Sequence, residues 1–329
     1  MAQLATSVAW FRRRQCCHWA IASVIAGERG FDEPGAIGCL SCGGLRTRPL
    51  WSRSSPLPIC RCETCDIAFL ADPQPEAVHE KYLSDYDLDG HFSAAEARKR
   101  VLYDRRVARI GSPSASEPGR ICDVGCGNGA FLAVAQEAGW EPHGIEMNPP
   151  AAARCRDRGF FVEEGRLEDV SDLLTGTFDV VTAWDVIEHT PDPTRFLQNV
   201  ASLLSPAGKL YVSTMNRRSL VAKAFRGRWS MVVEDHFTYW TQRSLEIALL
   251  RAGLLPTEVF SVGLGRDFIG VADRVMGSSR VPGTAEARNA VTWDAAPAVS
   301  RAEVAVNKVL QPLDLGVSLE ISARSSAAI

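Results

Sequence analysis

Apolar and polar positions alternate between two periods along most of the chain. From Arg120 onward, short apolar runs of strand length are separated by segments whose apolar residues recur every three or four positions, the mark of a helix with one buried face. Ile121–Val124, His143–Glu146, Phe160–Glu163, Phe178–Ala183 and Lys209–Thr214 predict strands. Ala130–Ala138, Ala151–Arg158 and Thr194–Leu204 predict helices, the last stopped by Pro206 and Gly208. Strands joined by single helices imply right-handed crossovers and a parallel sheet covered on both faces. Further on, Ser244–Ala252 predicts a helix closed by Gly253, and Thr257–Val262 and Val317–Ala323 predict two more strands. No simple crossover helix separates those two, so they are expected to pair antiparallel.

The pattern before Arg120 is different and divides the chain into four. Residues 1–36 are an unassigned tail, and residues 37–70 form a cysteine-rich module. Residues 71–119 begin with Asp72-Pro73-Gln74-Pro75, turn helical, and end in a polar linker from Gly111 to Gly119. Residues 120–329 are the α/β domain. In the tail, Arg12, Arg13 and Arg14 precede a short apolar stretch, Trp19–Ala26. His18 and Ser23 interrupt it and no small-residue cleavage site follows, so it reads as a tail rather than a secretory signal. No apolar run approaches the roughly 20 residues that span a bilayer.

Composition narrows the partners. Apolar residues make up 46% and charged residues 23%, as in ordinary globular chains. A formal net charge of −3 supplies no overall basic field, so no nucleic-acid partner is expected. Ten cysteines, irregularly spread, do not make a disulfide scaffold, and a cytoplasmic location is expected.

Asp123-Val124-Gly125-Cys126-Gly127-Asn128-Gly129 sits where a strand ends and a helix begins. Glycines there let a backbone approach a ligand closely, at the carboxyl edge where open α/β sheets bind. Glu146 ends the next strand, 19 positions after Gly127, where a carboxylate can accept the hydroxyls of a ribose. Gly125, Gly127 and Ala130 also satisfy the dinucleotide fingerprint, and a NAD(P)-dependent dehydrogenase stays open on the loop alone. Asp123 argues the other way: a carboxylate there attracts an ammonium and repels a pyrophosphate.

The same residues carry a resemblance. Asp123 to Gly129 resembles the first motif of class I S-adenosylmethionine-dependent methyltransferases. Phe178-Asp179-Val180-Val181 with Trp184-Asp185-Val186-Ile187-Glu188-His189 resembles their fourth, and Leu203 to Leu210 the loop and strand that follow. The resemblance runs from about Ile121 to Gly263 and is nearest the branch of ubiquinone-pathway O-methyltransferases. It implies a Rossmann-like seven-stranded sheet with helices on both faces, and a cofactor site of Asp123, Gly125, Cys126, Gly127 and Gly129 at the methionine part and Glu146 at the ribose. Met147 would lie on the adenine, with Gly165, Arg166, Leu167 and Glu168 closing over the base. Ala183, Trp184 and Asp185 would lie between cofactor and acceptor. The implied reaction is methyl transfer to a small-molecule acceptor, most simply an oxygen, with carbon or nitrogen as alternatives. A protein that holds cofactor without turnover and uses a zinc module to recognise a partner is the rival of another class.

A general base is needed only where the acceptor must lose a proton. His189 and His236 are the candidates, since histidine titrates near neutrality. Each has a structural alternative, His189 as a loop-shaping hydrogen bond and His236 as part of the apolar stretch Phe237, Tyr239 and Trp240. The basic run Arg217, Arg218, Lys223, Arg226 and Arg228 fits an acidic or lipid-like acceptor, or a solvated helix face. Residues 264–312 are a candidate lid or dimer surface, which leaves a homodimer open.

Cys39-x2-Cys42-x19-Cys62-x2-Cys65 has the spacing of two metal knuckles joined by a loop, and four thiolates close a structural zinc site. Cys60 is an extra thiol that could substitute for Cys62 or stay free. A knuckle ahead of such a core also resembles deoxysugar C-methyltransferases. The further C-terminal domain of those enzymes has little counterpart after Gly263, which puts a sugar acceptor in doubt.

Overall fold

The computed structural model describes residues 38–85, 96–113, 119–263 and 313–326. The expectations for residues 1–36, most of the Gly111–Gly119 linker and residues 264–312 lie outside the described residues.

Seven strands form the main sheet: β4 (Arg120–Val124), β5 (Glu141–Glu146), β6 (Phe161–Glu164), β7 (Phe178–Trp184), β8 (Leu204–Met215), β10 (Leu254–Val262) and β11 (Ser318–Ser325). Their order is β10-β11-β8-β7-β4-β5-β6. Neighbours from β8 to β6 run parallel, and β11 runs antiparallel to both β8 and β10. The chain winds outward in one direction through β5 and β6, and in the other through β7 and β8. The carboxyl ends of β4 and β7 therefore flank the crevice where such sheets bind ligands.

Helices α3 (Ala130–Glu137), α4 (Pro149–Asp157), α5 (Leu167–Val170), α6 (Pro193–Leu203), α7 (Leu220–Phe225) and α8 (Gln242–Arg251) follow the strands. Phe131, Leu132, Val134 and Ala135 of α3 are buried, as are Phe196, Leu197, Val200 and Leu203 of α6. Asp192 caps α6 by accepting from Arg195 N at 2.9 Å, with Pro193 in the first turn, where its missing N–H costs nothing. Thr241 and Ser244 cap α8 reciprocally, which starts that helix two residues before Ser244.

One expectation shifts for a physical reason. Pro206 and Gly208 end no helix; they fall within β8, which begins at Leu204. The β7–β8 register jumps from Phe178↔Leu204 to Val180↔Lys209, so the proline and glycine occupy an irregularity that the ladder skips.

A second sheet holds β1 (Thr47–Leu50), β2 (Ile59–Cys62), β3 (Ala68–Leu70) and β9 (Thr238–Tyr239), in that order. Its last strand comes from far along the chain, with Ala68 opposite Tyr239 and Phe69 opposite Thr238. Cys39, Cys62, Cys65, Ile67 and Phe69 share one core with Ile187, Leu197, Trp240 and Leu245, so the cysteine module is continuous with the α/β body. Two helices connect them, α1 (Pro75–Asp85) and α2 (Glu96–Ile110). Among the described residues no helix is long and apolar enough to cross a membrane.

Candidate cofactor site and cysteine centre

Gly125, Gly127 and Gly129 all take left-handed backbone torsions, with φ of 73°, 57° and 77°. A side chain at Gly125 would be excluded twice, since its Cβ would also stand 2.7 Å from Val186 Cγ2. Gly125 N donates to Ile145 O at 2.8 Å, tying the loop to β5, and Gly129 leads directly into α3. Cys126 turns its thiol inward among Leu132, Ala152, Cys155 and Phe160, so only its backbone faces the loop.

Two buried carboxylates flank this cradle. Asp123, 3% exposed, accepts from Thr182 Oγ at 2.6 Å. Burial pushes its carboxyl up to about 7, against the Thr182 bond and the Arg106 charge. Glu146, 2% exposed, accepts from Gly127 N and Asn148 N, each at 2.8 Å, and from Tyr82 Oη at 3.2 Å. Burial raises it too, opposed by these donors. Met147 is half-buried beside it, and Gly165 N donates to Glu146 O at 3.0 Å, which brings the Gly165–Glu168 segment to the end of β5. Leu167 is buried there, whereas Arg166 and Glu168 are exposed. A cradle that only glycines can form, between two buried acids, fits a nucleoside carrying an ammonium.

At the end of β7, Ala183 is buried and Trp184 packs edge-on to Phe131, with the Arg106 guanidinium 4.2 Å over its ring. Asp185 is exposed and has φ of 58°. Ser213 holds it from both sides, accepting from Asp185 N at 3.0 Å and donating to Asp185 Oδ1 at 2.8 Å. Arg106, 4% exposed, binds Glu320 at 3.0 Å and Ser213 Oγ at 3.0 Å, with Asp185 Oδ2 at 3.8 Å; Arg109 also pairs with Glu320.

His189 and His236 come together, ring centroids 4.7 Å apart. His189 Nδ1 faces Asp235 O and His236 Nδ1 faces Met231 O, both at 2.8 Å. A carbonyl only accepts, so each Nδ1 carries the proton. Burial, with His189 alongside, pushes His236 down to about 4. Glu188 lies within reach of both rings, with donor atoms of the trio all within 4.8 Å. It is 3% exposed, accepts from Thr214 Oγ at 2.9 Å, and is pushed up to about 8 by burial and by Asp185.

The cysteine centre assembles as the spacing implies. Cys39 and Cys65 sulfurs are 3.5 Å apart, Cys42 and Cys62 sulfurs 3.6 Å, and all four lie within 4.8 Å of one another. A tetrahedral zinc with bonds of about 2.3 Å needs sulfur edges of about 3.8 Å, so the four thiols fit that ion. Cys60 stands outside the set. The centre is fastened to the body by Thr194 Oγ on Ser41 O at 2.9 Å and by Arg217 on Asp66, at 2.7 Å to the carbonyl and 2.9 Å to the carboxylate. Arg217 thus serves as a latch, and Arg218 Nε lies 4.0 Å from Asp314. Gly227 presses so closely on Ser55 that a Cβ would overlap its backbone.

Sequence reasoning passed over Tyr82, Arg106, Thr182, Ser213 and the role of Glu188. Their partners lie between 26 and 214 positions away, beyond any local signal.

A family model described as a methyltransferase domain matches residues 94–259, half of the chain. The ubiquinone biosynthesis O-methyltransferase of Xanthomonas oryzae pv. oryzae is 35% identical over 138 residues, covering 40% of this chain and 56% of that one. The protein of the same description from Xanthomonas euvesicatoria pv. vesicatoria is 38% identical over 139 residues, with the same coverage. The chain thus spans little more than half the length of these curated relatives. Among solved structures, a methyltransferase of Thermotoga maritima described as a possible histamine N-methyltransferase covers 76% of this chain and 99% of its own. It does so at 18% identity and a TM-score of 0.48. With the glycine cradle, the paired acids and the family match over half its length, this chain belongs to the methyltransferase-domain family of S-adenosylmethionine-dependent enzymes.

Proposed function

We propose that the chain moves a methyl group from S-adenosylmethionine to an oxygen of a small-molecule acceptor. The observation that carries this is that the Asp123–Glu146 cradle and the Glu188, His189 and His236 trio lie at the carboxyl ends of adjacent parallel strands, with Gly125 against Val186. The oxygen acceptor is supported by the relatives, which are described as O-methyltransferases.

When bound, the cofactor supplies an electrophilic methyl on a sulfonium whose departure leaves a neutral thioether. Asp123 takes the ammonium of the methionine part, and Glu146 the ribose hydroxyls. Gly125, Gly127 and Gly129 let the backbone lie against the amino-acid tail, with Cys126 contributing through its backbone. Met147, Gly165, Leu167 and Glu168 border the base. Ala183, Trp184 and Asp185 separate the cofactor from the acceptor, and the Ser213 and Arg106 contacts keep Asp185 from drifting. In-line attack needs little beyond holding nucleophile and methyl in contact. His236, with its proton on Nδ1, is placed to take the acceptor's proton on Nε2, and the exposed His189 beside it leads that proton toward solvent. The four cysteines hold one structural zinc, closed by its ligands, with no position left open for chemistry.

The test is calorimetric titration of the zinc-loaded chain with S-adenosylhomocysteine, NADH serving as control. Micromolar binding that Asp123→Ala and Glu146→Ala abolish, followed by labelled methyl transfer to a phenolic acceptor, is the expected result. Preference for NADH, or no binding by folded protein, overturns it.

A further inference from the structure

Glu146 has more donors than its proposed ligand leaves room for. A carboxylate offers about four lone-pair positions. Asn148 N and Tyr82 Oη both donate to Oε1, and Gly127 N donates to Oε2. A ribose brings two further donors, its vicinal hydroxyls, so at least one existing donor has to leave. Two of those present are backbone amides, fixed by the glycine loop and by the turn into α4, where Asn148 also caps the helix at 3.1 Å to Ala151 N. Tyr82 is the one side chain among them and the one that can rotate away. It also has a separate anchor, since Asn148 Nδ2 donates to the Tyr82 carbonyl at 3.2 Å, so α1 stays seated when the phenol moves.

We propose that Tyr82 is a positioning residue of the cofactor site: its hydroxyl holds the ribose-binding carboxylate of Glu146 in place in the free protein and gives up its position on Oε1 to a ribose hydroxyl on binding. This rests on the methyltransferase reading, in which Glu146 receives the ribose. It makes part of the ribose interaction an exchange of one hydrogen bond for another. The chain then gains less from that hydroxyl than an open carboxylate would, and Tyr82 sets how strongly a ribose is preferred to a deoxyribose. Tyr82 comes from a helix beginning five residues after β3, so the residue that tunes the cofactor site is carried by the segment leaving the cysteine module.

The experiment compares S-adenosylhomocysteine with its 2′-deoxy and 3′-deoxy analogues by calorimetry, on the full zinc-loaded chain as wild type, Tyr82→Phe and Asn148→Ala. Tyr82→Phe keeps the ring and removes the exchangeable donor. The expected result is tighter S-adenosylhomocysteine binding by about 3- to 10-fold, the scale of one net hydrogen bond, with the deoxy analogue that lacks the exchanging hydroxyl left nearly unchanged. The ratio between the two ligands therefore widens, which a merely structural role would not produce. Asn148→Ala loosens α1 and shifts all ligands together. An unchanged ratio in Tyr82→Phe, or weaker binding of every ligand alike, overturns the exchange while leaving the cofactor reading intact. Failure of the wild type to bind any of the three overturns that reading and the inference with it.

Discussion

Asp123 makes cofactor affinity depend on pH in a way that can be worked out in advance. Only its ionised form attracts an ammonium, and burial holds the carboxyl at about 7 in the free protein. The group is then about nine-tenths protonated at pH 6 and about nine-tenths ionised at pH 8. Binding S-adenosylhomocysteine below pH 7 must first release that proton. The dissociation constant should fall about tenfold between pH 6 and pH 8, or about 1.4 kcal/mol, and level off above. Calorimetry in buffers of different ionisation enthalpy would show the matching proton release, near one per cofactor at pH 6 and near zero at pH 8. Asp123→Asn keeps the shape and the Thr182 contact but cannot ionise, so its binding should be weak and flat across the range. Flat binding by the wild type, or a slope that survives in Asp123→Asn, would refute the assignment of the ammonium to Asp123. Stability supplies an independent check on the same group. Its folded value lies above the unfolded one, so the stability it contributes is full below the ordinary carboxylate range and is lost as pH rises through about 7. The loss is about 4 kcal/mol at most, and urea melts of Asp123→Asn should not show it.

Four further outcomes follow from the contacts. Gly125→Ala forces a left-handed alanine into Val186, which costs about 2–4 kcal/mol from torsion and overlap together, read in urea melts, with S-adenosylhomocysteine binding lost. His236→Gln should lower kcat by about 10²- to 10⁴-fold while cofactor affinity stays unchanged; a loss of affinity instead would make it a packing residue. Cys42→Ser should lower bound zinc from one per chain, measured by elemental analysis, and drop the melting temperature by several degrees. Arg217→Ala removes two bonds to Asp66 and should cost about 1–3 kcal/mol in urea melts, with zinc still bound.

What could be read along the chain was what local chemistry decides. Glycines at 125, 127 and 129 declare a turn that other residues resist, the two Cys-x2-Cys pairs declare knuckles, and runs of period two and 3.6 declare strands and helices. Each signal is complete within a few residues. Pro206 and Gly208 were legible as an interruption but not as one inside a strand, because the partner strand decides which residues a ladder skips.

The rest was decided by contacts between distant segments. No local pattern makes Thr238–Tyr239 the fourth strand of the cysteine module, because a two-residue strand exists only when β3 lies beside it. His236 owes its tautomer and its depressed titration to Met231 O and to burial beside His189, neither of which its neighbours in sequence announce. Arg106 is a surface residue by composition and a buried one in fact, because Glu320 and Ser213, 214 and 107 positions away, offer the partners that make its burial affordable. Residue types and short spacings determined the glycine loop and the four-cysteine cluster. Only the closed fold determined which acids are buried, how far their protons are held, and which side chain stands on Glu146.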